Sequence, residues 1–171
     1  MQRIELALTY AYTDFITAEE SDLLSGWVMN RLHLFKLVQE GQYLGVIADL
    51  PRVPRIVKEI EHRLVSLEGL GHYRAEPEYG HIFVVNLPGS ALHLHRDPDQ
   101  PDGLHVRYNC MVKKPTQGGL SIYGDSVNDP PELSLWRCLP NRYLHGSTAV
   151  EGGQPRIILS MGYIIPHHEV T

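Results

Sequence analysis

The sequence predicts an α+β fold in which two N-terminal helices buttress a jelly-roll core, that is, a double-stranded β-helix. Residues 1–70 contain two segments in which apolar side chains recur at helical spacing. Residues 71–171 instead contain short β-rich runs separated by Gly, Pro, Asn and Asp. No repeat or linker divides the 171 residues, so we expect a single domain, with 1–70 as helical support and 71–171 as the core.

The first strand and the first helix are predicted from local patterns. Residues 3–9 alternate apolar and polar side chains, which is typical of a strand. Thr17 and Glu20 form a capping-box pattern, because each side chain can bind the other's free backbone N–H. Apolar residues at helical spacing then extend the predicted helix over 18–39, where Gly41 would end it.

The second helix is predicted over residues 53–67, with one apolar stripe and Gly69 at its C-terminal cap. Beyond residue 70 the turn residues indicate antiparallel strands of a sandwich or barrel. The predicted strands are 81–87, 90–95, 104–112, 119–124, 133–139, 142–148 and 155–165.

The composition of the chain narrows the binding partners and the cellular location that we expect for it. The net charge of -5 and a pI near 6.0 argue against a surface that grips nucleic acid. No apolar run is long enough for a membrane span, so no membrane partner is expected. Cys110 and Cys138 are the two cysteines and form no CxxC motif. We therefore expect buried thiols and a cytoplasmic location, with a disulfide as the alternative.

Two potential metal ligands lie in the segment LHLHRDPD. Residues two apart on a strand point to the same face, so His95 and Asp97 can present an imidazole and a carboxylate to one ion. A third ligand must come from elsewhere, and His145, which ends another β-rich run before Gly146, is the best candidate. Two histidines and one carboxylate form the facial triad of non-haem Fe(II) oxygenases, although zinc and manganese accept similar ligands.

Two other interpretations of this cluster stay open. His93 and His95 are also two residues apart, which would give a cupin-like HxH site completed by His145 and a later acid. Alternatively, the His/Asp cluster is structural and the chain is a jelly-roll binding module without catalytic activity.

A basic residue follows the third candidate ligand. Arg156 comes after His145, beyond the Gly152–Gly153 turn, which would return the chain beside His145. If the two segments are antiparallel neighbours, Arg156 lies near the metal. A fixed guanidinium fork is well matched to a carboxylate.

The order of these motifs resembles the Fe(II)/2-oxoglutarate-dependent oxygenases over about residues 75–166. The segment DFITAEESDLL near the N-terminus resembles the prolyl-hydroxylase-like branch of that family. The matching residues are His95-Arg96-Asp97 as HxD, Gly118, Gly119, Leu120 and Tyr123 as GGLxxY, His145 as the distal histidine, and Gly153 with Arg156 as GxxR.

The resemblance implies a role for each matching residue. His95, Asp97 and His145 would hold Fe(II), and Arg156 would pair with the distal carboxylate of the cosubstrate 2-oxoglutarate. With O2 as the second cosubstrate, 2-oxoglutarate would be decarboxylated to succinate and an unactivated C–H bond hydroxylated. The substrate would be a small molecule, amino-acid-like or carrier-bound. Family halogenases lack the carboxylate ligand, so Asp97 favours hydroxylation.

The chain departs from the family pattern at one position. The family often has Ser or Thr two residues after the arginine, where this sequence has Ile158. A different hydroxyl must then bind the distal carboxylate, and the candidates are Tyr123, Tyr143 and Ser160.

The strand at 104–112 separates into a polar and an apolar face. His105, Arg107, Asn109 and Met111 share one face, and the alternate residues share the other. The apolar face is expected to pack in the core. Arg107 and Asn109 would then line the barrel mouth and contact substrate or cosubstrate, with a carboxylate of the substrate as partner of Arg107. The alternative is a polar face that is merely solvated.

Overall fold

The computed structural model describes residues 1–6 and 9–169, which form a mostly β structure with two α-helices, as predicted. The helices are α1 (Ala18–Met29) and α2 (Ile56–Glu68), and short 3-10 turns lie at Leu32–Leu34, Ile47–Asp49 and His167–Glu169. The strands are β1 (Arg3–Leu6), β2 (Thr9–Tyr12), β3 (Lys36–Gln39), β4 (Gln42–Val46), β5 (Arg74–Ala75), β6 (His81–Asn86), β7 (Leu104–Lys113), β8 (Gln117–Gly118), β9 (Ser121–Tyr123), β10 (Ser126–Asn128), β11 (Leu135–Cys138), β12 (His145–Ser147), β13 (Val150–Glu151) and β14 (Arg156–Ile165).

Three sheets organise these strands. Among the described residues, the largest sheet has nine strands in the order β1-β2-β11-β7-β14-β6-β4-β3, with β5 beside β14. A three-stranded sheet has the order β10-β9-β12, and β13 pairs with β8. All of these pairings are antiparallel.

Helix α1 begins as predicted but ends earlier. The capping box is present: the Glu20 side chain accepts from the Thr17 N–H at 2.8 Å, and the Thr17 hydroxyl accepts from the Glu20 N–H at 3.2 Å. The helix stops at Met29 with Asn30 as its C-cap. The predicted extension to residue 39 is therefore wrong.

The error arises from residues whose spacing suits both helix and hairpin. Residues 36–39 form β3, which turns back into β4 through Gly41 at φ +71°. Glycine at positive φ ends helices and also closes hairpins, so Gly41 does not distinguish the two. Phe35 was expected on a helix face, yet it is buried beside Gly45 of β4 and Phe83 of β6.

Helix α2 agrees closely with the prediction. It spans Ile56–Glu68, and Gly69 follows in the left-handed conformation at φ +69°. The amphipathic stripe is buried through Val57, Ile60 and Leu64. These side chains belong to the same hydrophobic cluster as buried residues of α1 and of the large sheet.

The central pair β7–β14 separates the core from a cavity. Their antiparallel register runs from Ile157 opposite Lys113 to Ile165 opposite Leu104. On β7, Val106, Tyr108, Cys110 and Val112 are buried in the core, as predicted, and alternate residues face the other side.

Two predicted strands differ from the structure. The segment 90–95 is irregular and contributes only one bridge, between His95 and His145. Of the predicted strand 3–9, residues 3–6 and Thr9 are strand, whereas positions 7 and 8 lie outside the described residues.

The structure also bears on the predictions about cysteines and membrane spans. Cys110 and Cys138 are both free and buried, so the disulfide alternative is not adopted. Neither α1 nor α2 is long and apolar enough to cross a membrane.

The capping box provides a test of the first helix. We expect Thr17→Ala to lower the free energy of unfolding by about 1 kcal/mol, because the backbone N–H of Glu20 loses the hydroxyl that caps it. Thr17→Ser keeps the hydroxyl and should remain near the wild type. Urea denaturation measures both changes, and equal stability of Thr17→Ala and wild type would contradict the assignment.

Candidate metal centre

Two segments far apart in sequence carry the candidate ligands, one with His95 and Asp97 and the other with His145. His145 begins β12, which pairs with β9. The backbones of His95 and His145 exchange two hydrogen bonds of 3.1 and 2.9 Å, which fix one segment beside the other. The backbone N–H of Asp97 donates to the carbonyl of Pro140 at 3.0 Å, so this segment is held at both ends.

The side chains of His95, Asp97 and His145 converge. One ligand atom from each lies within 4.8 Å of the others. Oδ1 of Asp97 is 3.5 Å from Nε2 of His95 and 3.8 Å from Nε2 of His145. The two imidazole centroids are 4.2 Å apart. These atoms can hold one metal ion on a single face of its coordination sphere.

Backbone carbonyls orient both imidazoles. Nδ1 of His95 lies 2.8 Å from the carbonyl of His93, and Nδ1 of His145 lies 3.4 Å from the carbonyl of Tyr143. A carbonyl can only accept, so each Nδ1 carries a proton, and in the neutral imidazole Nε2 then has a lone pair available to a metal. This arrangement is typical of metal-binding histidines.

Charges around Asp97 keep its carboxylate ionised. Burial acts to raise the pKa of Asp97, but the hydrogen bond to His95 and the positive groups of His145 and Arg107 outweigh it, so the pKa lies below its usual value. The Asp97 hydrogen bond raises the pKa of His95, whereas burial lowers that of His145. The group therefore presents an anionic oxygen next to two imidazoles.

His93, the rival first ligand, lies outside this group. Its side chain is exposed and it contributes its backbone carbonyl to His95. The structure thus favours the HxD pair over the HxH pair. The strand argument for HxD was nevertheless incorrect, because residues 96–100 are irregular; the hydrogen bonds of His95 and Asp97 hold the segment instead.

Arg156 is a buried cation on the wall of the same cavity. It is 4% exposed, and Nη2 donates to the Ser121 hydroxyl at 2.8 Å. Its Nε has no hydrogen-bond partner in the part of the chain that the structure describes. Burial alone lowers the pKa of Arg156 to about 10, so the guanidinium is charged at neutral pH. Within residues 1–6 and 9–169, no carboxylate forms an ion pair with it.

Arg156 reaches the site by a different route from the one predicted. His145 lies in the three-stranded sheet and Arg156 in the large one, so their strands are not neighbours. The intervening chain first pairs β13 with β8 and then crosses between sheets. Gly119 and Leu120 join β8 to β9. A Cβ on Gly119 would lie 3.2 Å from Cδ of Arg156, so glycine leaves room for the arginine.

The hydroxyl beside Arg156 belongs to Ser121, a residue that the sequence analysis missed. It lies inside the GGLxxY segment, where β9 brings it opposite β14 across the cavity. Ile158, at the family's Ser/Thr position, is buried on the cavity wall. Position 158 therefore lacks the hydroxyl of the family pattern, and Ser121 on β9 places a hydroxyl beside Arg156 instead.

The three candidate hydroxyls are engaged elsewhere or lie outside the cavity. Tyr123 lines the cavity, but its hydroxyl accepts the Leu139 N–H at 2.6 Å. Ser160 lies 3.4 Å from Nη1 of Arg107, with no hydrogen bond to Arg156. Tyr143 is 38% exposed and is not among the residues that line the cavity.

The polar face of β7 lines the cavity, as predicted, and is buried rather than solvated. Arg107 is 6% exposed, and its Nη2 lies 3.1 Å from Oε2 of Glu76, a residue that sequence reasoning missed. A substrate carboxylate is thus not required as its partner. Asn109 donates to Sγ of Cys138 at 3.2 Å. Burial, followed by the charge of Arg107, lowers the pKa of His105 to about 4, which keeps this imidazole neutral.

One cavity of about 570 Å³ connects these groups. It is lined by the His-Asp-His group, by both buried arginines and by apolar residues of the large sheet. The candidate metal group and Arg156 therefore share the lining of one cavity.

Comparisons with known proteins agree on the fold. No family model and no curated protein sequence matches the chain. Among solved structures, the collagen prolyl hydroxylase vCPH of Paramecium bursaria Chlorella virus 1, in complex with 2-oxoglutarate, superposes with a TM-score of 0.68 at 15% identity, covering 91% of this chain and 94% of that chain. HygX of Streptomyces hygroscopicus, with nickel and 2-oxoglutarate bound, superposes with a TM-score of 0.70 at 12% identity, covering 91% of this chain and 82% of that chain.

A third structure is that of a prolyl hydroxylase from Trichoplax adhaerens in complex with a peptide fragment of the hypoxia-inducible factor. It superposes with a TM-score of 0.66 at 18% identity, covering 90% of this chain and 82% of that chain. The neighbours are thus prolyl hydroxylases and 2-oxoglutarate oxygenases with a jelly-roll fold, as the resemblance implied. At these identities the likeness establishes the fold, and the function must be argued from the site.

The metal group can be tested by removing single ligands. Asp97→Ala and His145→Ala should each weaken Mn(II) binding by about a hundredfold or more, because each removes one of three donor atoms. His93→Ala is the matched control and should bind Mn(II) like the wild type. Titration calorimetry measures the affinities. Loss of Mn(II) binding in His93→Ala alone would instead support the HxH site.

Proposed function

We propose that the chain is an Fe(II)/2-oxoglutarate-dependent oxygenase that hydroxylates a C–H bond of its substrate. The observation that carries this proposal is the pairing, in one cavity, of a His-Asp-His group with Arg156, a buried cation that has no anionic partner among the described residues. The shared fold with 2-oxoglutarate-bound enzymes supports it.

The donor set fits Fe(II). His95 and His145 would contribute their Nε2 atoms and Asp97 its Oδ1, which is a facial two-histidine, one-carboxylate set with open positions on the opposite face. Bound Fe(II) supplies the activation of O2 that couples decarboxylation of 2-oxoglutarate to oxidation of a C–H bond. The protein supplies the ligand orientation through the carbonyls that bind the two Nδ1–H groups.

Arg156 and Ser121 fit the distal carboxylate of 2-oxoglutarate. The guanidinium is charged, buried and has a free Nε, so an incoming carboxylate gains a cation that water does not screen. Ser121 holds Nη2 and thereby fixes the plane of the guanidinium. The opposite end of the cosubstrate would then lie toward His95, Asp97 and His145.

The two alternatives leave Arg156 unexplained. A cupin-type metalloenzyme without 2-oxoglutarate would bury this cation without an anion, which is costly. A non-catalytic binding module would require neither the arginine nor the convergent Nε2 atoms. Retention of the carboxylate at Asp97 favours hydroxylation over halogenation.

We further propose that residues 1–171 act as one catalytic domain, since one hydrophobic cluster joins both helices to the large sheet. The substrate would be a small molecule, amino-acid-like or carrier-bound, or a peptide such as the one bound by the Trichoplax enzyme. Exposed residues at the cavity mouth, including His93 and Arg96, would contact it. A cytoplasmic location stays a prediction.

The proposed reaction is tested by succinate release. Purified protein with Fe(II), 2-oxoglutarate and O2 should form succinate, and a panel of amino acids, small acids and peptides should reveal the substrate through faster turnover. Arg156→Met should raise KM for 2-oxoglutarate by about a hundredfold, because a buried charge pair is lost. Turnover that survives both Asp97→Ala and His145→Ala would contradict the metal assignment.

Ser121 permits a rescue experiment. Ser121→Ala should raise KM for 2-oxoglutarate by about tenfold, since a hydrogen bond to a charged group is removed. Adding Ile158→Ser to this variant places a hydroxyl at the family's position and should restore part of the affinity. Ser160→Ala is the comparison, because Ser160 lies beside Arg107. A larger increase for Ser160→Ala than for Ser121→Ala would contradict the role of Ser121.

A further inference from the structure

We propose that Glu76 and Arg107 form a positioning pair that holds the outer oxygen of Asp97, so that only Oδ1 of Asp97 is available to the metal. This inference rests on the proposed function, because it concerns how many coordination positions stay open for 2-oxoglutarate and O2. It assigns Arg107 a role other than the substrate contact that the sequence suggested.

Glu76 is a fixed and buried anion. Its side chain is 1% exposed. Oε1 accepts the N–H of Glu78 at 2.7 Å, and Oε2 accepts those of Tyr79 and Gly80 at 2.9 and 3.2 Å. Three backbone donors at one carboxylate hold it in a single orientation, and they also shape the turn at residues 76–80.

Arg107 is held by this anion and by two further acceptors. Nη2 lies 3.1 Å from Oε2 of Glu76, and Nη1 lies 3.3 Å from the Gly80 carbonyl and 3.4 Å from the Ser160 hydroxyl. These contacts engage Nη1 and Nη2 at the far end of the guanidinium, whereas the contact with Asp97 is made by Nε. Nε is 3.9 Å from Oδ2 of Asp97, which is ion-pair distance.

The large sheet leaves space for this pair at a glycine. Gly162 of β14 lies opposite Arg107 in the β7–β14 register. A Cβ on Gly162 would lie 3.0 Å from Cβ of Glu76, 3.0 Å from the Gly80 carbonyl and 3.2 Å from Cζ of Arg107. Glycine at this position therefore leaves room for the ion pair, since a Cβ would make three contacts tighter than ordinary van der Waals distance.

The two oxygens of Asp97 consequently have different environments. Oδ1 faces Nε2 of His95 and of His145, whereas Oδ2 faces Nε of Arg107 and Nδ1 of His105, 3.6 Å away. A carboxylate that binds a metal through one oxygen leaves three octahedral positions open, and one that binds through both leaves two. Arg107 attracts Oδ2 and so favours the first arrangement.

The test separates metal binding from 2-oxoglutarate binding. The double variant Glu76→Gln/Arg107→Met removes both charges together, since Arg107→Met alone would leave a buried unpaired carboxylate. We expect it to bind Mn(II) as tightly as the wild type or more tightly, because both oxygens of Asp97 become available. Its Mn(II) form should bind 2-oxoglutarate about tenfold more weakly, because a coordination position is lost.

Two further variants complete the design. Gly162→Ala keeps every charge but displaces Arg107, and should weaken 2-oxoglutarate binding to the Mn(II) form in the same direction. Because Gly162→Ala keeps both charges, it can still test the inference if the double variant fails to fold. Lys113→Met/Glu132→Gln removes another ion pair of β7, of 3.3 Å, away from the cavity lining, and is the matched control.

The outcomes distinguish this inference from the proposed function. If the wild type fails to bind Mn(II) and 2-oxoglutarate together, the proposed function itself is wrong. If the wild type binds both Mn(II) and 2-oxoglutarate, and the double variant and Gly162→Ala leave both affinities unchanged, only the positioning role is overturned. If the double variant loses affinity for both Mn(II) and 2-oxoglutarate, the pair has a structural role, and this result would also overturn the inference. Calorimetry gives both affinities.

Discussion

A charge that is buried away from water must be neutralised by another charge, and this constraint explains the arrangement of the cavity. Two arginines are buried in its wall and satisfy the constraint differently. Arg107 has Glu76 and Asp97 within ion-pair distance, so its charge is balanced within the protein. Arg156 has a serine hydroxyl but no anion among the described residues. The first arginine therefore organises the protein's own groups, and the second is poised for a ligand that brings a negative charge.

Both arginines owe their positions to the central strands. The alternation of side chains along β7 and β14 directs one set of residues into the core and the other into the cavity. Because the same backbone hydrogen bonds fix both sets, the register that packs Tyr108 and Leu159 in the core also positions Arg107 and Arg156. A slip of one residue would exchange the two faces, so the fold and the site depend on the same register.

Sequence reasoning succeeded where a short local pattern determines the structure. The capping box at Thr17, the stripe of α2 and the two faces of β7 each depend on a few neighbouring residues, and each was predicted. The helix over 18–39 failed because Gly41 and the apolar spacing suit a hairpin equally well, and packing of Phe35 against β6 decides between them. Long-range pairing overrode local preference there.

The partners of the site residues were harder to predict for a related reason. Glu76 and Ser121 become neighbours of Arg107 and Arg156 only through pairing between segments far apart in sequence. Ser121 lies within a motif that had drawn attention for its glycines and tyrosine, so its position was a usable signal. Glu76 has no such signal, since an acid before Pro77 in a polar loop resembles any surface residue. Its burial follows from the backbone donors that surround it.

The register of the large sheet also indicates the form of ligand that the cavity accepts. Arg156 lies opposite Asn86, and Asn86 opposite Gln42, so one row across three strands is polar and buried. Among the described residues, the side-chain oxygen of Gln42 and both polar side-chain atoms of Asn86 have no hydrogen-bond partner. The next row consists of apolar residues, namely Ile158, Val84 and Leu44. A molecule that extends from Arg156 toward the His-Asp-His group would therefore pass along an aliphatic wall, which is compatible with the anionic end and short methylene chain of the proposed cosubstrate.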